Sequence, residues 1–146
     1  MSTLKAINIV HPSGSTTNIV NDNVGNITVG AALTATTTAS DSIGNLRNVP
    51  LNSQTTGYTL VATDSGKCIS ITTGGVTVPA SIFSAGQSVT IFNNSGSNQT
   101  ITQGSGATMY QVGTANTGNR TLAQRGLCTV FCVASNNFVI TGGGLS

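Results

Sequence analysis

From Gly57 to its end the chain alternates apolar and polar positions in short runs, with no apolar spacing by threes and fours sustained over several turns. A period of two puts successive side chains on opposite faces of a strand, so the pattern predicts strands rather than helices. The runs are Tyr58–Val61, Lys67–Thr72, Gly75–Val78, Ser88–Asn93, Gln99–Gln103, Thr108–Val112, Arg120–Ala123, Leu127–Ala134 and Asn137–Thr141. Between them stand turn formers: Asp64-Ser65-Gly66, Ala85-Gly86, Asn94-Ser95-Gly96, Gly104-Ser105-Gly106, Gly118-Asn119 and Gln124-Arg125-Gly126. Strands punctuated at that spacing predict an antiparallel β-sandwich or barrel-like module over residues 57–146. Within it, Val89-Thr90-Ile91-Phe92 and Gln99-Thr100-Ile101-Thr102 flank an Asn/Ser/Gly run and read as a β-hairpin. Leu127 to Val133 is apolar on both faces, the mark of a central strand covered on two sides, with another subunit as one cover.

The chain before Gly57 has two textures. Residues 1–30 hold short alternations, Leu4 to Val10, Asn18 to Val20 and Ile27 to Val29, broken at Pro12-Ser13-Gly14 and Val24-Gly25-Asn26. They have strand propensity and too little apolar mass for a core, so they read as an extended strand-forming arm that pairs with something else. Leu4, Ile7, Ile9 and Val10 are its candidate attachment residues. Residues 31–56 are Thr/Ser/Ala-rich and read as an extended connector. Thr36-Thr37-Thr38 does not recur at a fixed period, so no repeat architecture is expected.

Composition sharpens the all-β assignment. Only 5% of the residues are charged, against roughly 25% in typical soluble domains. Thr, Ser, Asn and Gly take their place, residues that favour strands or turns over helix interiors. The net charge of +2 rests on five scattered basic residues, Lys5, Arg47, Lys67, Arg120 and Arg125. Nucleic-acid binding needs clustered cations and stacking aromatics, so no nucleic-acid partner is expected. No run has the length of a membrane span and no secretory signal is visible, which points to folding in a cytoplasm without a membrane partner. A near-neutral surface also offers little colloidal repulsion and favours association.

The chemical inventory argues against an enzyme. There is no Glu, and Asp22, Asp41 and Asp64 fall in three separate segments, which leaves no paired carboxylates. His11 is the only histidine and sits beside Pro12 in a turn, without an orienting partner for a nucleophilic triad. The Gly-rich runs precede neither Lys-Ser/Thr nor a helix, so no phosphate loop is read. Cys68, Cys128 and Cys132 are odd in number and lack metal spacing. In one strand Cys128 and Cys132 would lie about 13 Å apart, too far for a disulfide. They read as small buried hydrophobes. No catalytic residue, metal or cofactor is expected. Arg120 and Arg125 bracket the neutral run Thr121-Leu122-Ala123 and, with Phe131 and Val133, are candidate subunit-interface residues. Asp64 is the first candidate partner for their guanidinium groups.

Gly57-Tyr58-Thr59-Leu60, Asp64-Ser65-Gly66-Lys67, Val76-Thr77-Val78-Pro79, the stretch from Val89 to Thr102, and Arg120-Thr121-Leu122 through Gly126 together resemble a module recurrent in structural proteins of tailed bacteriophages. The opening MSTLKAINIVHPSGS is similar to the N-termini of virion proteins from phages of marine cyanobacteria. The resemblance implies a non-enzymatic virion protein, assembled in the host cytoplasm, with an apolar or small residue in the family where Cys68 and Cys132 stand here. It does not distinguish fibres, spikes and capsid-surface proteins. Short length and the lack of a repetitive shaft favour a trimeric capsid decoration or cement protein whose partners are itself and the major capsid protein or another virion protein. The alternative is a tail fibre or tail-accessory protein binding a host glycan, for which Tyr58 and Tyr110 are the only tyrosines and no Trp is present.

Overall fold

The structure, a computed structural model, describes residues 48–146. The arm with Leu4, Ile7, Ile9 and Val10, together with His11, Asp22, Asp41 and Arg47, lies outside the described residues.

Nine strands form one nearly closed, barrel-like sheet: β1 (Leu51–Gln54), β2 (Tyr58–Thr59), β3 (Cys68–Ile71), β4 (Val76–Val78), β5 (Ser88–Asn93), β6 (Gln99–Gln103), β7 (Thr108–Gln111), β8 (Arg120–Ala134) and β9 (Asn137–Leu145). The all-β, barrel-like class expected from the alternation holds. Strands β5 and β6 have the bounds that the alternation predicts. A single 3-10 turn, Ala62–Asp64, is the one helical element among the described residues.

The pairing is mixed rather than antiparallel throughout. Strands β1, β3 and β5 stack in parallel, and β2, β4 and β6 do the same. The expected hairpin between β5 and β6 does not form. Both strands lie end to end along the same edge of β8, β5 opposite Leu127 to Phe131 and β6 opposite Arg120 to Leu122. The chain therefore turns a corner between them instead of reversing. Three such bent turns, β1 with β2, β3 with β4, and β5 with β6, stack as a short coil. Strand β8 closes it antiparallel, β9 pairs along the other edge of β8, and β7 joins β9 in parallel. The turns differ in length, so this structural repeat leaves no fixed period in the sequence. The coil also begins earlier than expected, because β1 lies within the residues read as connector.

The corners are built from amides and glycines. Asn93, fully buried, donates through Nδ2 to the carbonyls of Ser97 (2.7 Å), Leu122 (3.1 Å) and Ala123 (2.9 Å), and its Oδ1 accepts from the Ser95 hydroxyl. Gln99 accepts from the Gly75 N–H at 3.0 Å and donates to Thr72 O at 3.2 Å, linking the second and third turns. Gly75, at φ +70°, leaves no room for a Cβ, which would fall on the Thr100 carbonyl oxygen. In β8 the corner is a register shift between Leu122 and Leu127 with Arg125 at φ 59°. The run Gln124-Arg125-Gly126 is thus a bend inside one strand and not a turn between two.

Inside the barrel, Leu60, Ile69, Ile71, Val89, Ile91, Ile101, Met109, Leu122, Val130, Phe138 and Ile140 form one buried cluster. Each such side chain contributes about 1.5–3 kcal/mol by leaving water. Cys128 and Cys132 belong to the same cluster, and all three cysteines are free thiols.

Candidate functional site

Because the strands bend, the molecule presents two outer sheet faces with different chemistry. On the first, directly opposed residues form rows across the strands. Tyr110, Val139, Phe131 and Ser88 make one row, from β7 through β9 and β8 to β5. Thr141, Thr129, Thr90, Cys68 and Leu51 make the next, and Gly143, Leu127, Phe92, Ser70 and Ser53 the third. Opposed residues share a face and their side chains are neighbours. None of the residues in these rows is charged. Of the eight exposed large hydrophobic residues among the described ones, six lie on or border this face: Leu51, Tyr110, Val112, Leu127, Phe131 and Val133. Leu127 is 48% and Phe131 39% exposed, whereas Cys128, Val130 and Cys132, the alternate residues of β8, are fully buried.

The second face carries hydroxyls. Thr59, Thr77 and Thr102 stand opposite one another on β2, β4 and β6. Thr100 faces Thr121 on β8, whose backbone exchanges hydrogen bonds of 2.7 and 2.9 Å with Ser146. Apolar residues point inward at the alternate positions, Val76, Val78, Ile101 and Leu122.

Phe131 and Val133 sit where the two-faced pattern of Leu127 to Val133 places them, on the outer surface of β8. Tyr110, Val139, Phe92 and Leu51 complete the apolar face. They escape a reading by runs, because only the strand order brings these residues into one row. Arg125 stands at the β8 corner bounding the face and donates to Asn94 Oδ1 at 2.7 Å. Arg120 lies apart from the apolar rows, opposite Ile101, and donates to the carbonyls of Asn119 (2.7 Å) and Asn116 (2.8 Å). It pins the loop before β8, and its Nε is buried without a partner among the described residues.

Asp64 takes neither arginine, contrary to the pairing expected. Its buried carboxylate accepts from Asn52 Nδ2 (3.0 Å), the Tyr58 hydroxyl (2.8 Å) and the Val61 N–H (2.9 Å). The physical reason is position: the 3-10 turn folds the carboxylate back into the coil, beneath β1 and β2. Burial, together with the bond to Asp64, raises the Tyr58 pKa. Burial also raises the Cys68 thiol and, helped by the nearby Cys68, pushes Cys128 up to about 12. Thiols held protonated in this way are poor nucleophiles and poor metal ligands.

Among the described residues no group of three His, Cys, Asp or Glu side chains could hold a metal ion. Likewise, no helix there is long and apolar enough to cross a membrane. An open depression of about 440 Å³ lies beside the loop before β5, lined by Ser81, Ile82, Phe83, Ser84, Ala85 and Ser135, with no titratable side chain. What the described residues offer is contact area: one apolar sheet face and one hydroxyl face. No family model matches the chain, and no curated protein matches it either.

Proposed function

We propose that this chain is a non-enzymatic structural protein of a bacteriophage virion, a capsid-surface decoration or cement protein that acts as a homotrimer. The observation that carries this reading is the gathering of exposed apolar residues on one uncharged sheet face, since apolar patches of this kind mark interaction sites. The resemblance of its motifs to phage structural proteins supplies the setting. Outside a cell, particle proteins persist without turnover and in salt that screens surface ion pairs. A surface of hydroxyls and amides over a β core keeps its stability there. The partners are further copies of the chain and the major capsid protein or another virion protein, with attachment assigned to residues 1–30 through Leu4, Ile7, Ile9 and Val10.

Electron microscopy of intact particles tests the reading. Trimeric density on the capsid surface is the expected result. Density confined to the tail would replace it with the tail-fibre or tail-accessory reading, and absence from the particle would end it. Ile7→Asp and Ile9→Asp variants are expected to lower occupancy on the particle.

A further inference from the structure

We infer that the apolar face of β7, β9, β8, β5, β3 and β1 is buried against a second copy of this chain, with Phe131 near the centre of the contact. This rests on the reading of the chain as a self-associating structural subunit and names the surface by which it associates. Three observations select the occupant.

The first is charge. The three rows hold no charged side chain, whereas Arg125 stands at the corner that bounds them. A face without charge packs head-to-tail on a neighbouring copy, as a closed trimer requires, with no like-charge repulsion, and charge depleted at the centre with a polar rim is the make-up of protein interfaces. A partner recognised by charge would find nothing here to read.

The second is area. Six strands spaced about 4.8 Å apart, with rows about 6.8 Å apart along each strand, give a face on the order of 500 Å² per copy. Two copies together bury on the order of 1,000 Å², the level that specific interfaces clear.

The third is the kind of residue exposed. Tyr110, Phe131 and Phe92 are aromatic and stand beside Leu127 and Val139 in the two rows that flank the threonine row. Aromatic anchors ringed by small hydroxyl residues, here Thr90, Thr129 and Thr141, are how interface energy concentrates at a few positions. The threonine row between the two apolar rows keeps the surface flat enough for one sheet to pack against another.

The test uses the full chain, with its mass measured by light scattering and sedimentation across micromolar concentrations. The wild type is expected to exceed monomer mass. Phe131→Lys and Leu127→Lys, both at exposed positions, are each expected to raise the dissociation constant about thirtyfold or more, the loss typical of a hot-spot residue. Their β circular dichroism and melting as monomers should remain intact. As a control, Thr77→Lys on the hydroxyl face should assemble like the wild type. A wild type that stays monomeric across that range would overturn the inference. Assembly unaffected by Phe131→Lys and Leu127→Lys, or abolished by Thr77→Lys, would overturn it as well. Unchanged assembly of the Phe131→Lys protein together with its normal occupancy of the virion would sink the self-interface while leaving the virion role standing.

Discussion

The Tyr58 hydroxyl donates a 2.8 Å hydrogen bond to Asp64 Oδ2, tying the start of β2 to the 3-10 turn that leads the chain into its second coil turn. Asn52 reaches both groups, Asp64 at 3.0 Å and the Tyr58 oxygen at 3.2 Å, so three side chains lock the first turn onto the second. Asp64→Ala leaves the Tyr58 hydroxyl, the Asn52 amide and the Val61 N–H without their acceptor. Its expected cost is about 2–3 kcal/mol by chemical denaturation. Tyr58→Phe removes one donor and leaves the others satisfied, and should cost about 1 kcal/mol. Equal losses in the two variants would show that the carboxylate is not the hub.

Cys128 carries a pH signature. Its thiol is pushed up to about 12 in the folded protein from an ordinary value of 9.0. A raised folded pKa means that the stability it contributes is complete below pH 9 and lost as pH rises from 9 towards 12. Stability should therefore fall in that window by up to about 1.4 kcal/mol per pH unit. Tyr58, also raised, adds a decline that begins above its ordinary value of 10.0. Urea titrations between pH 8 and 11 check this: Cys128→Ala should lose part of the slope near pH 9–10, the raised Cys68 thiol keeping a share of it, at a cost of about 1 kcal/mol at neutral pH. Since all three thiols are free, a reducing agent should leave the melting temperature unchanged.

Where most strands lie was legible in the sequence, β1 excepted, and what they pair with was not. Alternation tells which side of a strand faces the core, so Val89 and Ile91 could be assigned inward before any partner was known. It carries no information on whether Asn94-Ser95-Gly96 reverses the chain or turns a corner. That choice is made by the Asn93 and Gln99 side chains, which bind backbone carbonyls on other strands and hold β5 and β6 end to end. The Gln124-Arg125-Gly126 bend deceived for the same reason, because a glycine in a strand corner and a glycine in a turn look alike. As for the apolar face, its β8 portion was readable from Leu127 to Val133, since a strand apolar on both sides must expose one of them or find a cover. Tyr110 and Phe92 joined it only through strand order.

Asn93 is the sharpest test of the corner. Its amide is shared among three carbonyls, two of them in the β8 bend, at a fully buried position out of reach of bulk water. Asn93→Ala should cost about 3–4 kcal/mol, more than a typical surface amide by an order of magnitude in effect on the folding equilibrium. Asn93→Asp keeps the shape but turns the donor into an acceptor facing carbonyl oxygens, and should be at least as damaging. Thermal denaturation of the two variants decides; tolerance of Asp would mean that the corner is held by packing and not by the amide.

Adjacent glycines in β9 give a matched pair. Opposite Cys128, Gly142 lies so close to β8 that a Cβ would fall on the Leu127 carbonyl oxygen and the Cys128 Cα. Both are backbone atoms in the middle of the sheet and neither can move aside. An added methyl must therefore push β9 off β8 at their most extensive pairing, or open the core around Cys128. Gly143, one residue on and facing outward, has nothing within 4 Å of the corresponding position. Its backbone also lies outside the left-handed region that only glycine adopts easily. Gly142→Ala is expected to cost more than about 4 kcal/mol, enough to unfold a protein of ordinary stability. Gly143→Ala should be neutral or stabilising by a few tenths of a kcal/mol, because alanine reduces the entropy of the unfolded chain. Melting temperatures of the two variants, measured side by side, check the register of β8 and β9. Reversed sensitivity, with Gly143→Ala the damaging change, would mean that β9 pairs with β8 one residue out of step, with Val139 turned inward.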